Sequence, residues 1–182
     1  MKLWLLRHAR VQLAAGLCYG ASDVAADPAH TQAAAQAVAA VLPRQLPLRV
    51  SGLGRAQQLA DALRALRPDL GAPAVDVRLN EMHFGQWELQ AWDAIPRSAF
   101  DDWMADFAHH RFGGAESTQQ IIDRVADALE SQRAAGDAVW VTHAGVIRAV
   151  QFVATQGRGP IRDASQWPRE APEPGGWLTL EL

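Results

Sequence analysis

Apolar and polar positions follow two periods in turn along the chain, and the elements they predict alternate between strand and helix. Lys2 to Leu6 is an apolar run of strand length closed by Arg7-His8. Asp27-Pro28 reads as an N-cap and a first-turn proline, and the alanine-rich stretch behind it carries Val38, Val41 and Leu42 until Pro43 stops the helix. Leu48 to Ser51 is a second strand candidate. Leu59, Leu63 and Leu66 then mark one face of a helix that has Arg55 at its beginning and ends before Pro68. Val75 to Leu79 alternates as a strand does, and Asn80-Glu81 opens an irregular, aromatic-rich stretch. Ser98 and Asp101 have capping-box spacing ahead of a short helix bearing Phe100, Trp103, Met104 and Phe107, which Gly113-Gly114 breaks. Ser117 and Gln120 form a second box, leading through Ile121, Ile122, Val125 and Leu129 to Gly136. Ala138 to Thr142 is a buried-type strand, and His143-Ala144-Gly145 enters a helix with Val146, Val150 and Val153. Leu178, Leu180 and Leu182 alternate with polar residues, as in a half-buried edge strand.

This order predicts an α/β fold. No repeat of 20 to 50 residues and no polar linker divides the 182 residues, so one domain over 1–182 is expected. Hydrophobic residues at 49% and charged residues at 20% exclude a disordered chain. No apolar run is long enough to span a bilayer, and Leu3 to Leu6 is cut off by Arg7 too early for a secretory segment. No membrane partner and a cytoplasmic setting are therefore expected. Cys18, the single cysteine, excludes an internal disulfide and a cysteine metal cage. A net charge of -3 provides no global field for nucleic acid, so an anionic ligand must be caught by a local pocket. The sequence leaves the oligomeric state open, with a homodimer compatible.

Polar signals recur where predicted strands end: Arg7-His8, the Ser51 to Arg55 turn, Glu81 and His143. Ligands of open α/β sheets bind outside the carboxyl ends of the strands, so these residues share one predicted rim. Each has a plainer reading alone: a surface turn for Arg7-His8, a satisfied core histidine for His143, a helix cap for Glu81, a pair with Asp61 for Arg55. Together they supply what phosphoryl transfer without a metal needs: fixed cations, a nucleophile and a proton donor for the leaving group. An arginine fork matches phosphate oxygens, and a unit-charge contact at about 4 Å is worth roughly 4 kcal/mol at an effective dielectric of about 20.

The same residues carry a family resemblance. Leu5-Leu6-Arg7-His8-Ala9 resembles the LxRHG hallmark of the histidine phosphatase superfamily, the phosphoglycerate mutase-like fold. Ser51-Gly52-Leu53-Gly54-Arg55-Ala56-Gln57 resembles SPLxRAxQ, and Leu79-Asn80-Glu81 with Phe84-Gly85-Gln86-Trp87-Glu88 resembles LxExxFGxWE. Thr142 to Arg148 is similar to the second histidine motif. Within the superfamily, Cys18-Tyr19-Gly20, Asp23-Val24, the Trp92 to Pro96 segment and Gly113 to Ser117 most resemble alpha-ribazole phosphatases of cobalamin assembly.

The resemblance implies a three-layer α/β/α sandwich around a mostly parallel sheet, with a small helical lid at about 86–116. It implies a phosphoric monoester hydrolase without a cofactor or metal. His8 would take the phosphoryl group, Glu81 would protonate the leaving alkoxide, and Arg7, Arg55 and His143 would clamp the non-bridging oxygens. Ala144, Gln12, Tyr19 and Trp87 are further candidates for phosphate or substrate contact. Cationic neighbours should depress the pKa of His8, and a bell-shaped pH profile that is not flat between about pH 5 and 8 is expected.

This chain departs from the pattern at several places. Ala9 stands for a glycine, Arg10 for a glutamate, Val11 for a threonine, Gly52 for a proline and Leu89 for a glycine. None of these removes a catalytic group. Trp103 at helical spacing with Phe100 and Phe107 is expected in a core, while Trp87 and Trp92 stay open between wall and base-stacking roles. Adjacent His109 and His110 diverge on a helix and suggest no metal site, and Pro160 to Gly176 reads as a long surface loop. Two competing functions remain: a phosphoglycerate mutase, and a catalytically silent phosphate-binding protein suggested by Ala9 and Val11.

Overall fold

The computed structural model describes residues 1–182. The elements are β1 (Lys2–Arg7), α1 (Pro28–Ala39), β2 (Leu48–Val50), α2 (Gly54–Leu66), β3 (Ala74–Val75), α3 (Arg97–Ala105), α4 (Thr118–Arg133), β4 (Ala138–Thr142), α5 (Ala144–Gln156) and β5 (Trp177–Glu181). The sheet has the order β3-β2-β4-β1-β5; its first four strands run parallel, and β5 pairs antiparallel with β1 at the edge.

The period of two along β1 and β4 builds the three layers. Leu3, Leu5, Ala138 and Trp140 face α4 and α5, while Leu6, Val139 and Val141 face α1 and α2. Neighbouring parallel strands β1 and β4 therefore send their following helices, α1 and α5, to opposite faces of the sheet. The chain diverges there, and a crevice opens at the carboxyl ends of the two strands. Their register places Arg7 opposite Thr142, with His8 N–H donating to the Thr142 carbonyl at 3.0 Å.

Helix starts follow the local chemistry. The Asp27 carboxylate accepts from His30 N–H ahead of Pro28. Ser117 and Gln120 form the expected reciprocal box. Two expectations fail. The strand predicted over Val75 to Leu79 ends at Val75, because the Asp76 carboxylate accepts from Arg78 N–H and turns the chain into a 3-10 turn over Val77–Leu79. Val75 and Val77 are exposed, so their alternation marks no buried face. The box at Ser98 and Asp101 does not form either. With Pro96 as its N-cap, α3 starts at Arg97, one residue before Ser98, and Asp101 instead accepts from Arg97 Nε at 2.9 Å.

A third, smaller cluster lies off the sheet. Cys18, Ile95 and Phe112 are buried there under Phe84, Trp87, Phe100 and Trp103. Trp103 stacks on Phe112 and Phe107 with ring centroids 4.6 and 5.5 Å apart, as expected of a core tryptophan. Gly85 and Gly113, both at positive φ, touch backbone to backbone; a Cβ on either would lie 1.9 Å from a carbonyl oxygen of the facing segment.

Candidate active site

His8 leaves the end of β1 and is buried at the crevice. Its Nδ1 lies 2.6 Å from the Ala9 carbonyl, which can only accept, so Nδ1 carries the proton and Nε2 keeps its lone pair. Burial, reinforced by Arg55 and then Arg7 against the opposing Ala9 hydrogen bond, lowers its pKa to about 3. The ring is therefore neutral at ordinary pH, with a lone pair free on Nε2. Ala9 is fully buried at an unstrained φ, so the glycine freedom of the resembling motif is not needed here.

His143 follows β4, its ring centroid 5.0 Å from that of His8. It is fully buried, and its Nε2 lies 2.8 Å from Ser51 Oγ at the end of β2. Burial and then Arg55 lead the causes that push its pKa well below the usual histidine value. Arg55 opens α2 with its guanidinium buried. Nη1 donates to the Ser22 carbonyl, Nη2 to the Gly20 carbonyl, and the Tyr19 ring lies 5.3 Å from its central carbon. It does not pair with Asp61. Arg7 donates from Nη1 to the Pro172 carbonyl, while Gly175 N–H caps the His8 carbonyl at 2.9 Å. The stretch read as a surface loop thus braces His8 and Arg7 through Pro172 and Gly175. Arg7 Nε, Arg55 Nε and His143 Nδ1 are buried polar atoms with no protein partner. The two arginine N–H groups are unspent donors of the kind that suits an oxyanion, and the His143 nitrogen is left for a ligand as well.

Glu81 reaches the same rim from the turn after β3. Thr142 Oγ1 donates to the Leu79 carbonyl and ties that turn to the end of β4. The Glu81 carboxylate accepts from Gly145 N–H in the first turn of α5 and from Met82 N–H, both at 3.0 Å. A Cβ at Gly145 would lie 2.3 Å from Glu81 Oε1 and would make that carboxylate shift. Ala144, beside His143, is the first residue of α5. Tyr19 approaches His8, with ring centroids 6.4 Å apart.

The other candidates fall outside. Gln12 is exposed, and its backbone N–H is spent on the Ala25 carbonyl. Trp87 packs on Phe112 and lines an outer concavity with Pro96 and Arg111, away from Glu81. Trp92, by contrast, lines a cavity of about 240 Å³ beside Glu81, walled by Phe84, Trp103, Phe107 and Trp167, with Arg148 and Gly145 at its polar side.

Sequence reasoning gave no role to Arg148 or Glu88. Burial lowers the pKa of Arg148 against the opposing charge of Glu81, which puts both in one field. The Glu88 carboxylate accepts from the backbone of Gly20, Ala21, Ser22 and Phe84 and from the Ser22 hydroxyl. It thereby holds the carbonyls that anchor Arg55. The final glutamate of the FGxWE pattern was the available signal for that role.

The chain matches the family profile of the histidine phosphatase superfamily, branch 1, over residues 3–166. The chain belongs to the histidine phosphatase superfamily. As a histidine phosphatase it is a phosphatase enzyme, in agreement with the phosphoric monoester hydrolase expected from its sequence. Among solved structures, it is similar to phosphoglycerate mutase from Thermus thermophilus at 27% identity and a TM-score of 0.74, covering 100% of this chain and 93% of that one. TTHB049 from the same organism is 26% identical with a TM-score of 0.76, covering 100% and 94%. A mycobacterial glucosyl-3-phosphoglycerate phosphatase, 23% identical, shares the fold at a TM-score of 0.81 over 99% and 89%. No curated protein matches the chain. The three-layer sandwich expected from the resemblance is the fold of these relatives, and no helix is long and apolar enough to cross a membrane.

Proposed function

We propose that this histidine phosphatase hydrolyses phosphomonoesters through a phosphohistidine on His8, with its own cations in place of a metal. The observation that carries this reading is the Nδ1–H to Ala9 carbonyl bond, which leaves a bare Nε2 among the unpartnered atoms of Arg7, Arg55 and His143. His8 Nε2 attacks phosphorus in line, and the arginines hold the charge on the non-bridging oxygens. Glu81 donates its proton to the departing alkoxide, then takes one from the water that releases phosphate.

The group Glu81 protonates must lie beside it, and Glu81 lines two cavities, the aromatic one and a polar one of about 360 Å³ with His83, Gln120 and Arg124; the alcohol occupies the aromatic one in this reading. That cavity accepts a flat, apolar aglycone better than a small, highly charged acid. This favours alpha-ribazole 5'-phosphate, the substrate suggested by the sequence resemblance, and with it a step of cobalamin assembly in the cytoplasm. It disfavours a phosphoglycerate mutase. The segment at 86–116 then acts as the lid over the alcohol.

The test is turnover of alpha-ribazole 5'-phosphate beside a panel of simple phosphomonoesters and 3-phosphoglycerate, without added metal, for wild type and His8→Ala. Strong preference for the ribazole ester, lost in the variant, is expected. Even activity on all esters would discard the substrate, interconversion of phosphoglycerates would favour the mutase, and an inert wild type would leave a phosphate-binding protein.

A further inference from the structure

The hydrogen bonds behind His143 form a chain in which every proton can be placed. Gly52 N–H donates to Asn80 Oδ1 at 2.7 Å, which fixes the orientation of the Asn80 amide, since its NH₂ cannot accept. Ser51 Oγ lies 2.9 Å from that same oxygen, and between the two only the hydroxyl has a hydrogen to give. Ser51 therefore donates to Asn80. Its oxygen is left as an acceptor, used by Leu53 N–H at 3.2 Å and by His143 Nε2 at 2.8 Å. A serine has one hydroxyl hydrogen, so His143 Nε2 must carry its own. In the neutral ring Nδ1 is then a bare lone pair, fully buried and without a protein partner.

We propose that Asn80, acting through Ser51, is a positioning residue that fixes His143 as the Nε2–H tautomer, so that a bound phosphate delivers a proton to Nδ1. The inference rests on the phosphatase reading for its consequence but not for its geometry. The two histidines of the site are opposite tautomers, Nδ1–H at His8 and Nε2–H at His143. A bare Nδ1 repels an unprotonated phosphate oxygen and accepts a hydrogen bond from a P–OH. Proton transfer from that P–OH to Nδ1 leaves an imidazolium beside the dianion, with charge and atoms conserved. The charges that act on His143 are Arg55 from α2, Arg7 at the end of β1 with His8 just after it, and Arg124 from α4. These four lower its basicity, and Glu81, the carboxylate of the same rim, is held by Gly145 N–H and Met82 N–H, so the bound phosphate brings the added negative charge that holds the imidazolium.

The device belongs to this chain's departures. The resembling motif has a proline where this chain has Gly52, and a proline has no N–H with which to orient Asn80.

Ring ¹⁵N spectra of the free protein, with His8→Ala used to assign the second buried histidine, test the tautomer without turnover. The expected spectrum has a protonated Nε2 and an unprotonated Nδ1 on His143; the reverse overturns the proposal. Asn80→Ala frees the Ser51 hydroxyl to donate to His143 and should bring in the Nδ1–H tautomer, whereas Asn80→Asp keeps the accepting oxygen and should retain the wild-type pattern. An unchanged spectrum in a folded Asn80→Ala protein also overturns it. Calorimetry with methylphosphonate at alkaline pH, where the free dianion carries no proton, in buffers of differing ionisation enthalpy, should show uptake of about one proton per phosphonate bound to wild type. Binding without proton uptake would refute the delivery step. Hydrolysis of an aryl phosphate by wild type checks the phosphatase reading separately, since an inert protein could still show the tautomer.

Discussion

The rim at the ends of β1, β2 and β4 and the aromatic segment at 85–114 are held in different ways. At the rim, sheet register and main-chain bonds fix each residue: His8 N–H is tied to Thr142, Ser51 N–H to Val141, and Gly175 N–H to His8. In the segment, short 3-10 turns and one nine-residue helix are joined by ring packing around Phe112. A register allows no gradual change, whereas packed rings tolerate exchanges of shape. Conserving chemistry in one region while varying substrate in the other is then the natural division of labour.

The sharpest test of the rim is the acid limb of kcat/KM. With the His8 pKa at about 3, protonation of the nucleophile should cut activity only near that pH, not near the ordinary 6.5. A limb near 6.5 would mean that the burial of His8 is relieved in solution. Next in size, Glu81→Gln should slow an alkyl phosphate by about 100- to 1000-fold and an aryl phosphate with a good leaving group much less. Equal losses on both would remove Glu81 from the acid role.

For the segment, Trp103→Ala deletes the ring stacked on Phe112 and Phe107 and should destabilise the protein by about 3 kcal/mol, raising KM more than it lowers kcat. A kcat loss like that of Glu81→Gln would erase the distinction between the two regions. Glu88 joins them, and Glu88→Gln should cost about 2 kcal/mol through weakened charge-assisted bonds. Burial pushes the Glu88 carboxyl up, but hydrogen bonds from Gly20, Ser22, Phe84 and Ala21 outweigh it and hold the pKa below 4.5. Its stabilisation is present above the unfolded value and lost as pH falls through the folded one. Thermal midpoints of wild type and variant should therefore converge on acidification below pH 4.5, and a constant gap would refute the role.

The sequence was a good guide where strand ends carry charged residues. Arg7, His8, Arg55, Glu81 and His143 all lie around the predicted crevice because short apolar runs and the polar residues that close them are local signals. It was a poor guide where a side chain competes with the backbone or where burial sets the chemistry. Asp76 cut short a strand that alternation alone supported. Pro96 moved a helix start away from Ser98. Trp87, a candidate for substrate contact, lines an outer concavity while Trp92 lines the cavity beside Glu81, because ring packing depends on contacts between Phe84, Phe100 and Phe112 that no period encodes. The bell-shaped profile was expected together with a depressed His8 pKa, and with that value at about 3 an acid limb between about pH 5 and 8 would belong to another group. The direction of the His8 shift was legible from its arginines, but its extent depends on desolvation.

Leu89 shows how a departure is accommodated. It sits where the resembling pattern has glycine and keeps a left-handed φ of 64°, half-exposed, at a cost of about 1 kcal/mol. Gly145 is less forgiving. One methyl group there would push the Glu81 carboxylate off the start of α5 while leaving His8 and its arginines in place. An ester with an easy leaving group could still load the histidine, but the water step would lack its base. A single codon change thus separates a catalyst that empties itself from a receiver that keeps its phosphoryl group, a short evolutionary route from hydrolysis to storage.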